Sequence, residues 1–463
     1  MENAGSQEAA AATAAAAAAT DAPAVARDDA AHGSGAAGRS WRNVFASAAV
    51  MRAIYLACGA LAIGVVFWWL QFSTDAICCG DFDGYYHIGW SQQLWQGIRA
   101  HRLPQFTWLP LTTLNARDYV DHHFLFHILQ IPFTFFQDVR TGAKISAWLF
   151  GTLAVFACYW MLVRYRIRYP LVWLVALLGC SAPFLFRMNM TKAMSVSVVL
   201  LVLGIHLLFQ RKYLWLLPLA FFFTLTYDMF VLLGLVAAIW TVVLFWSERR
   251  IEWRPLLWVV VGVGAGTCIN PYFPHNVRLL YAHIVMKVTS NGFSTAVGQE
   301  WYPYDSWDFA RNCTVAFAAM IAGYIAFDWH DRKRAARSLF FLIFSTILLI
   351  ANARWRRFAE YWPPFAILFA AFTLQLVFER ARSAYGNLPA AVLDELEPYL
   401  DRPASGEGAP RGEGDSRGAA SVWGETRKTL AAAVVALFIA IPMVVMIVAE
   451  TREIATTAPH EEY

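Results

Sequence analysis

Charge is what this sequence has least of. Only 15% of its 463 residues are Asp, Glu, Lys or Arg, where a soluble globular chain carries roughly 25%. The 7 cysteines lack zinc-type spacing, which excludes a structural zinc module. Cys58, Cys158, Cys180 and Cys268 fall inside apolar runs and read as small core residues. No basic stripe interleaved with aromatics is present, so nucleic acid is excluded as a partner. No internal repeat stands out. No apolar core falls within the first thirty residues, so a cleaved signal peptide is not expected.

What the chain has instead is apolar side chains: 58% of its residues are hydrophobic and 16% of all residues are aromatic. A bilayer span needs about 20 mostly apolar residues. Eleven runs are read as spans: 51–72, 142–163, 170–186, 193–209, 213–227, 229–246, 255–272, 313–328, 337–352, 361–378 and 430–449. The expected fold class is therefore all-α, a polytopic membrane protein of about 11 transmembrane helices. Its long first outer loop carries interfacial helices.

Short-loop cations set the orientation. Arg164 to Arg168, Arg211 with Lys212, Arg249 with Arg250, and Arg332 to Arg334 all fall on one side under this count. So do Arg39, Arg42 and Arg52. That side is expected to be the cytoplasm, with the N-terminus inside and a plasma (inner) membrane location. Residues 1–45 read as a disordered, Ala-rich cytoplasmic tail. Residues 46–378 form the transmembrane module, with outer loops at 74–141 and 273–312. Residues 379–428, rich in Gly, Ser, Glu and Arg, read as a flexible cytoplasmic linker with one short amphipathic helix at 389–400. Residues 429–463 hold the last span and a short outer tail. The run 124–136 is too short to span and contains Pro132, so it is expected to lie at the interface or re-enter.

The outer face collects the polar groups. "CCGDFDGYYHIGW", 78–90, sets Asp81 and Asp83 just past the first span, followed by Tyr86 and His87. Two carboxylates two residues apart can share a divalent cation, or one can act as a base towards a hydroxyl. Equally, Asp83 can cap a helix over 85–99 whose stripe is Trp90, Leu94 and Ile98. "DYVDHHFLFH", 118–127, offers Asp121, His122 and His123, with His127 one helical turn after His123. Metal or substrate binding is one reading; interfacial histidines with Asp121 as N-cap are the other. Arg354, Arg356 and Arg357, with Glu360 beside them, lie at the outer end of a span, against the positive-inside bias. Guanidinium forks suit phosphate oxygens, and headgroup anchoring is the alternative. Arg187 and Lys192 are similarly placed, and Asp228 is positioned to pair with one of these bases. The segment 298–309 is aromatic and suits either sugar stacking or the interface belt.

"GDFDGYYHIGWSQQL" is similar to the first acidic motif of oligosaccharyltransferase catalytic subunits. The first span, the acidic motif, the long outer loop and the many further spans together resemble the GT-C superfamily of integral-membrane glycosyltransferases. That resemblance implies Asp83 as principal catalytic carboxylate with Asp81 as its partner. It implies a polyprenyl-phosphate sugar donor and membrane lipids as partners. It also implies a divalent metal, magnesium or manganese, on Asp81, Asp83 and His123, with metal-free catalysis as the alternative. Asp121, His122, His123, Tyr86, His87, Arg187, Lys192, Arg354, Arg356, Arg357 and Glu360 are the candidate substrate-binding residues. The chain has no Trp-Trp-Asp-Tyr-Gly acceptor motif, and "RMNMTKAM" lacks the acidic pair of its counterpart loop. It looks more like a bacterial mannosyltransferase-like member acting on a lipid, glycan or protein hydroxyl at the periplasmic face. The rival reading is a secondary transporter or flippase-like protein, which predicts ionisable groups and broken helices near the bilayer midplane.

Overall fold

The computed structural model describes residues 48–77, 82–106, 119–281 and 299–386. Asp81, the 1–45 tail, the 389–400 helix and the 430–449 run lie outside the described residues. Every regular element among the described residues is a helix.

Five helices are long and apolar enough to cross a membrane, or up to seven if each of two bent pairs is one span. The first is α1 (Ala48–Phe72). An outer-loop helix, α2 (Phe82–Arg99), and a short one, α3 (Phe124–Gln130), follow. Then come α4 (Val139–Arg164) and the bent pair α5 (Pro170–Leu178) and α6 (Ala182–Met188), which meet at 84°. Next are α7 (Met194–Phe209), α8 (Leu216–Thr226), α9 (Val231–Glu248) and α10 (Arg254–Cys268). The second bent pair, at 79°, is α11 (Ser306–Asn312) and α12 (Thr314–Ala326). The described fold closes with α13 (Ala336–Arg354) and α14 (Trp362–Gly386), which runs past the boundary expected at 378. All of the expected runs except 430–449 are thus helical, although α7, α8, α10 and α12 are shorter than a full span.

The chain buries one large apolar core and leaves many further apolar side chains, aromatic and aliphatic, on its surface. Phe67, Tyr159, Phe184, Phe365 and Trp362 are fully buried in one core. Val65, Val242, Val260, Ile325 and Ile350 on long or apolar helices stay exposed. Apolar exteriors on this scale mark a surface that meets something other than water.

Two features position the outer loop. Lys144 on α4 donates to the carbonyls of Thr74 and Asp75 just after α1. On α2, Trp90 and Leu94 are fully buried while Ile98 is exposed, so the buried stripe stops before the helix's C-terminal end. Ser91 at the same depth donates to Gln130 Oε1 at 2.9 Å, tying α2 to α3.

Five helices run between the same two ends. The starts of α4, α7, α9 and α14 and the end of α13 lie near the residues described next. Their other ends carry Arg168, Phe209, Glu248, Arg337 and Glu379, which share one cavity.

Candidate functional site

Asp83 stands in the first turn of α2, where the positive end of the helix favours a carboxylate. Its Oδ2 lies 2.5 Å from Lys192 Nζ. The Asp83 side chain is 66% exposed and that of Lys192 only 16%, so the carboxylate is the accessible partner. Lys192 precedes α7 in the short connection from α6, which brings the second loop to the first.

Behind Asp83 runs a buried chain of polar side chains. Asp121 Oδ2 accepts from His127 Nδ1 at 2.8 Å and from Trp90 Nε1 at 3.0 Å, while Oδ1 accepts the His123 backbone N–H at 3.0 Å. His127 Nε2 in turn lies 2.8 Å from His87 Nδ1. An ionised carboxylate only accepts, so His127 Nδ1–H donates to it. His87 Nδ1–H then donates to His127 Nε2, which leaves the lone pair on His87 Nε2. Burial, the largest influence, pushes Asp121 up, but His127, His122 and the Trp90 hydrogen bond together outweigh it, and the carboxyl sits below its ordinary value. Burial, then His127, Lys192 and His122, hold His87 well below the usual imidazole value. His87 is therefore neutral at physiological pH, a hydrogen-bond acceptor through Nε2.

The third part is a knot of ion pairs. Arg187, on α6, donates from Nε to Glu360 Oε1 at 2.7 Å and from Nη2 to Glu300 Oε2 at 3.0 Å. Arg357 donates to Glu300 Oε1 at 3.1 Å, Asp228 Oδ1 at 3.1 Å and the Tyr227 hydroxyl at 2.7 Å. Its guanidinium lies 5.3 Å from the Tyr227 ring centre and 5.0 Å from that of Trp301, a cation–π sandwich. Glu360 is fully buried in the 3₁₀ turn Arg356–Glu360 between α13 and α14. Burial pushes the Glu300 carboxyl up, yet Arg187 and then Arg357 hold it below its ordinary value. His123 joins this knot to the histidine chain, stacking on Tyr227 at 5.4 Å and lying 5.2 Å from His87.

The structure thus gathers Asp83, His87, Asp121, His123, Arg187, Lys192, Arg357 and Glu360 at one end of the bundle. His122 is exposed beside His123, their ring centres 3.9 Å apart. Tyr86 is turned to the Tyr119 hydroxyl at 2.6 Å. Arg354 and Arg356 stand apart. Arg354 is exposed and lies over its neighbour Trp355, while Arg356 Nε donates to the Pro303 carbonyl at 3.0 Å. Among the three arginines of that cluster only Arg357 enters the knot: Arg354 ends α13, and Arg356 and Arg357, adjacent in the 3₁₀ turn, point in different directions.

Two sequence-based placements need correction. His123 and His127 do not present one ligand face; the first turns to Tyr227 and the second to Asp121. Asp121 does not occupy the N-cap of α3, which is His123, although it accepts that residue's N–H. The metal expected on Asp81, Asp83 and His123 finds no support among the described residues. None of their His, Cys, Asp and Glu side chains form a group of three able to hold an ion. Asp83 is paired with the Lys192 ammonium group, and Asp81, the other carboxylate of that expectation, lies outside the described residues.

His127, Trp90, Tyr227 and Glu300 complete the site, and the sequence offered little to find them by. Glu300 reaches Arg187 across 113 positions and Tyr227 reaches Arg357 across 130. The spacing of Asp121 and His127 fits no helical face, since α3 begins only at Phe124.

No protein-family model matches the chain, and no curated protein does. Among solved structures it is similar to an oligosaccharyltransferase of Archaeoglobus fulgidus, solved tethered through a disulfide to an acceptor peptide containing the NVT sequon. The likeness has a TM-score of 0.49 at 14% identity, over 89% of this chain and 56% of that one. The chain therefore spans a little over half the length of that protein.

Proposed function

We propose that this protein is a membrane glycosyltransferase that moves a sugar from a polyprenyl-phosphate carrier to an acceptor hydroxyl. The observation that carries the reading is the pairing of exposed Asp83 with Lys192 at the helix ends, backed by the Asp121–His127–His87 chain. The likeness of residues 80–94 to the acidic motif of GT-C enzymes supports the same assignment.

In this mechanism the acceptor oxygen attacks the anomeric carbon while the bond from that carbon to the phosphate oxygen breaks. The phosphate leaves with the electron pair. Asp83 takes the hydroxyl proton as the new bond forms. Lys192 has three N–H donors, so it can hold Asp83 and a phosphate oxygen together. Arg187 and Arg357 are already engaged by Glu300, Glu360 and Asp228, so leaving-group stabilisation falls first to Lys192 rather than to the arginines. His87, neutral and beside His123, suits an acceptor hydroxyl as hydrogen-bond partner.

A transporter would use its two broken helix pairs as a gate around ionisable groups at mid-bilayer. The charged groups of this chain cluster instead at helix ends, which favours chemistry at an interface over passage through it.

The test is turnover of polyprenyl-phosphate sugars by purified protein in detergent. Asp83→Asn should lower the rate by at least about 100-fold with an unchanged unfolding midpoint. Near-normal turnover in that variant would remove Asp83 as the base. Failure of the parent protein to turn over any such donor would remove the glycosyltransferase reading itself.

A further inference from the structure

At the end of the bundle away from Asp83 lies a cavity of about 790 Å³. Five cations line it: Arg168, Arg211, Lys333, Arg334 and Arg337. They come from three different connections and from the first turn of α13. Only two carboxylates, Glu248 and Glu379, share the lining. Glu248 is taken by an ion pair with Arg211. Arg334 is paired with Asp331 at 3.5 Å, outside the cavity. Arg168, Lys333 and Arg337 have no ion pair among the described residues. Arg337 rests its guanidinium over Tyr165 at 4.8 Å and Phe209 at 5.8 Å.

Three cations without an ion pair among the described residues share one hollow with Glu379, so positive charge is in excess there. The five cations converge from separate loops over an apolar floor of Phe209, Trp240, Leu244 and Leu376, with Arg168 half-buried and the other four open to solvent. A planar guanidinium prefers oxyanions that accept two N–H bonds at once, and phosphate is the common one. An apolar floor beneath the cations suits a ligand with a hydrocarbon part.

We propose that this cavity binds a phosphate-bearing anion. Its charged group sits among Arg168, Lys333 and Arg337, and its apolar part lies on Phe209 and Trp240. The site is separate from the Asp83 site and does not depend on the proposed transferase activity. The phosphate could belong to an anionic lipid headgroup or to a free phosphate compound, and the experiment separates these.

The full-length protein in a neutral maltoside detergent is titrated with dioctanoyl phosphatidic acid, dioctanoyl phosphatidylcholine and inorganic pyrophosphate. Ligand-dependent rise in unfolding temperature and native mass spectrometry read the binding. Phosphatidic acid should bind and phosphatidylcholine should not. Arg168→Gln with Arg337→Gln should weaken that binding at least about tenfold, because two charge-assisted bonds are lost. Their replacement by Lys should restore part of it. Arg250→Gln with Arg254→Gln changes charge on the same end outside the cavity and should leave binding unchanged. Pyrophosphate bound as tightly as phosphatidic acid identifies a soluble phosphate compound, and lipid-only binding identifies a leaflet lipid. Equal loss in the two double variants would reduce the effect to diffuse surface charge and overturn the proposal. So would binding of phosphatidylcholine as tight as that of phosphatidic acid, or no binding of either phosphate probe. An unchanged ligand-free unfolding temperature in each variant separates lost binding from lost folding.

Discussion

Asp121 shows how one buried carboxylate organises a site it does not itself expose. It is 2% accessible and spends its lone pairs on His127, Trp90 and a backbone N–H. Its charge fixes the direction of every proton in the chain to His87. Asp121→Asn would offer His127 Nδ1 either an amide oxygen or an amide N–H donor, and the charge that orders the tautomers would be gone. Turnover should fall by roughly 100-fold or more while Asp121→Glu recovers part of it; equal rates in Asn and Glu variants would mean the histidine chain has no part in the reaction. The same histidines set a pH limit on folding. Burial first, and then neighbouring cations and imidazoles, hold His87 and His123 well below the ordinary value. In the unfolded chain they protonate near 6.5. Below about pH 6.5 the unfolded chain therefore binds protons that the folded chain refuses, and stability falls at up to roughly 1.4 kcal/mol per pH unit for each group. Above that pH their contribution is complete. Asp121, whose carboxyl is held below 3.8, acts only at still lower pH. The unfolding midpoint in detergent should drop between pH 7 and 5, and His87→Phe should flatten that slope. A midpoint that does not move across the range would contradict the burial of these imidazoles.

Helix by helix, hydropathy was a good guide to where the chain is helical and a poor one to where helices break. The run 170–186 reads as one span, yet the chain turns through 84° within it. The cause is written there in small letters: Gly179 closes α5, the Ser181 side chain accepts the Phe184 N–H at 3.3 Å, and Pro183 sits in the first turn of α6. A smooth apolar average hides these stop and start signals because their neighbours are all large and apolar. The break aims Arg187 at Glu360, 173 positions away, and no local pattern could announce that partner. Asp83, by contrast, was legible as a candidate because its motif is contiguous, while the identity of its partner Lys192 was not. The joint between α6 and the turn before α14 should be the costliest to cut at one partner. Glu360→Gln leaves Arg187 without its buried counter-charge and should cost about 3–5 kcal/mol. Arg187→Met combined with Glu360→Leu should recover most of that loss, and unfolding of the two single variants and the double variant completes the cycle. A double variant as unstable as the sum of the singles would show that the two side chains do not act as a pair. A second joint depends on glycine. A Cβ on Gly262 of α10 would lie 2.3 Å from the Leu217 carbonyl and 2.7 Å from Ala220 of α8. Close approach of this kind lets two helices pack backbone to backbone. Gly262→Val should therefore destabilise by roughly 1–3 kcal/mol, read as a lower unfolding midpoint, whereas Gly264→Val, whose Cβ meets nothing within 4 Å, should not.

Across the whole molecule the two polar regions sit at opposite helix ends, and that separation carries a topological consequence. α9, 18 residues long, has Asp228 just before its start and Glu248 at its end. At about 1.5 Å per residue this is roughly 27 Å, close to the hydrocarbon thickness of a bilayer. α13 runs the other way, from Arg337 in the cavity to the turn that carries Arg357. If these helices cross the membrane, the Asp83 site and the basic cavity face different compartments. The positive-inside rule, applied to the Lys and Arg in short connections at the cavity end, predicts that this end faces the cytoplasm. Newly introduced cysteines test both statements in a chain whose Cys58, Cys78, Cys79 and Cys268 are replaced by serine, leaving only buried native thiols. Trp307→Cys marks the site end, since Trp307 is 83% exposed on the helix that follows Glu300. Arg334→Cys marks the cavity end. A membrane-impermeant maleimide added to intact cells should label the first and reach the second only after permeabilisation. Labelling in the reverse order would turn the molecule over and move sugar transfer to the cytoplasmic face. Labelling of both from outside would mean these helices do not span, and a reaction fed by a lipid carrier between them would lose its physical basis.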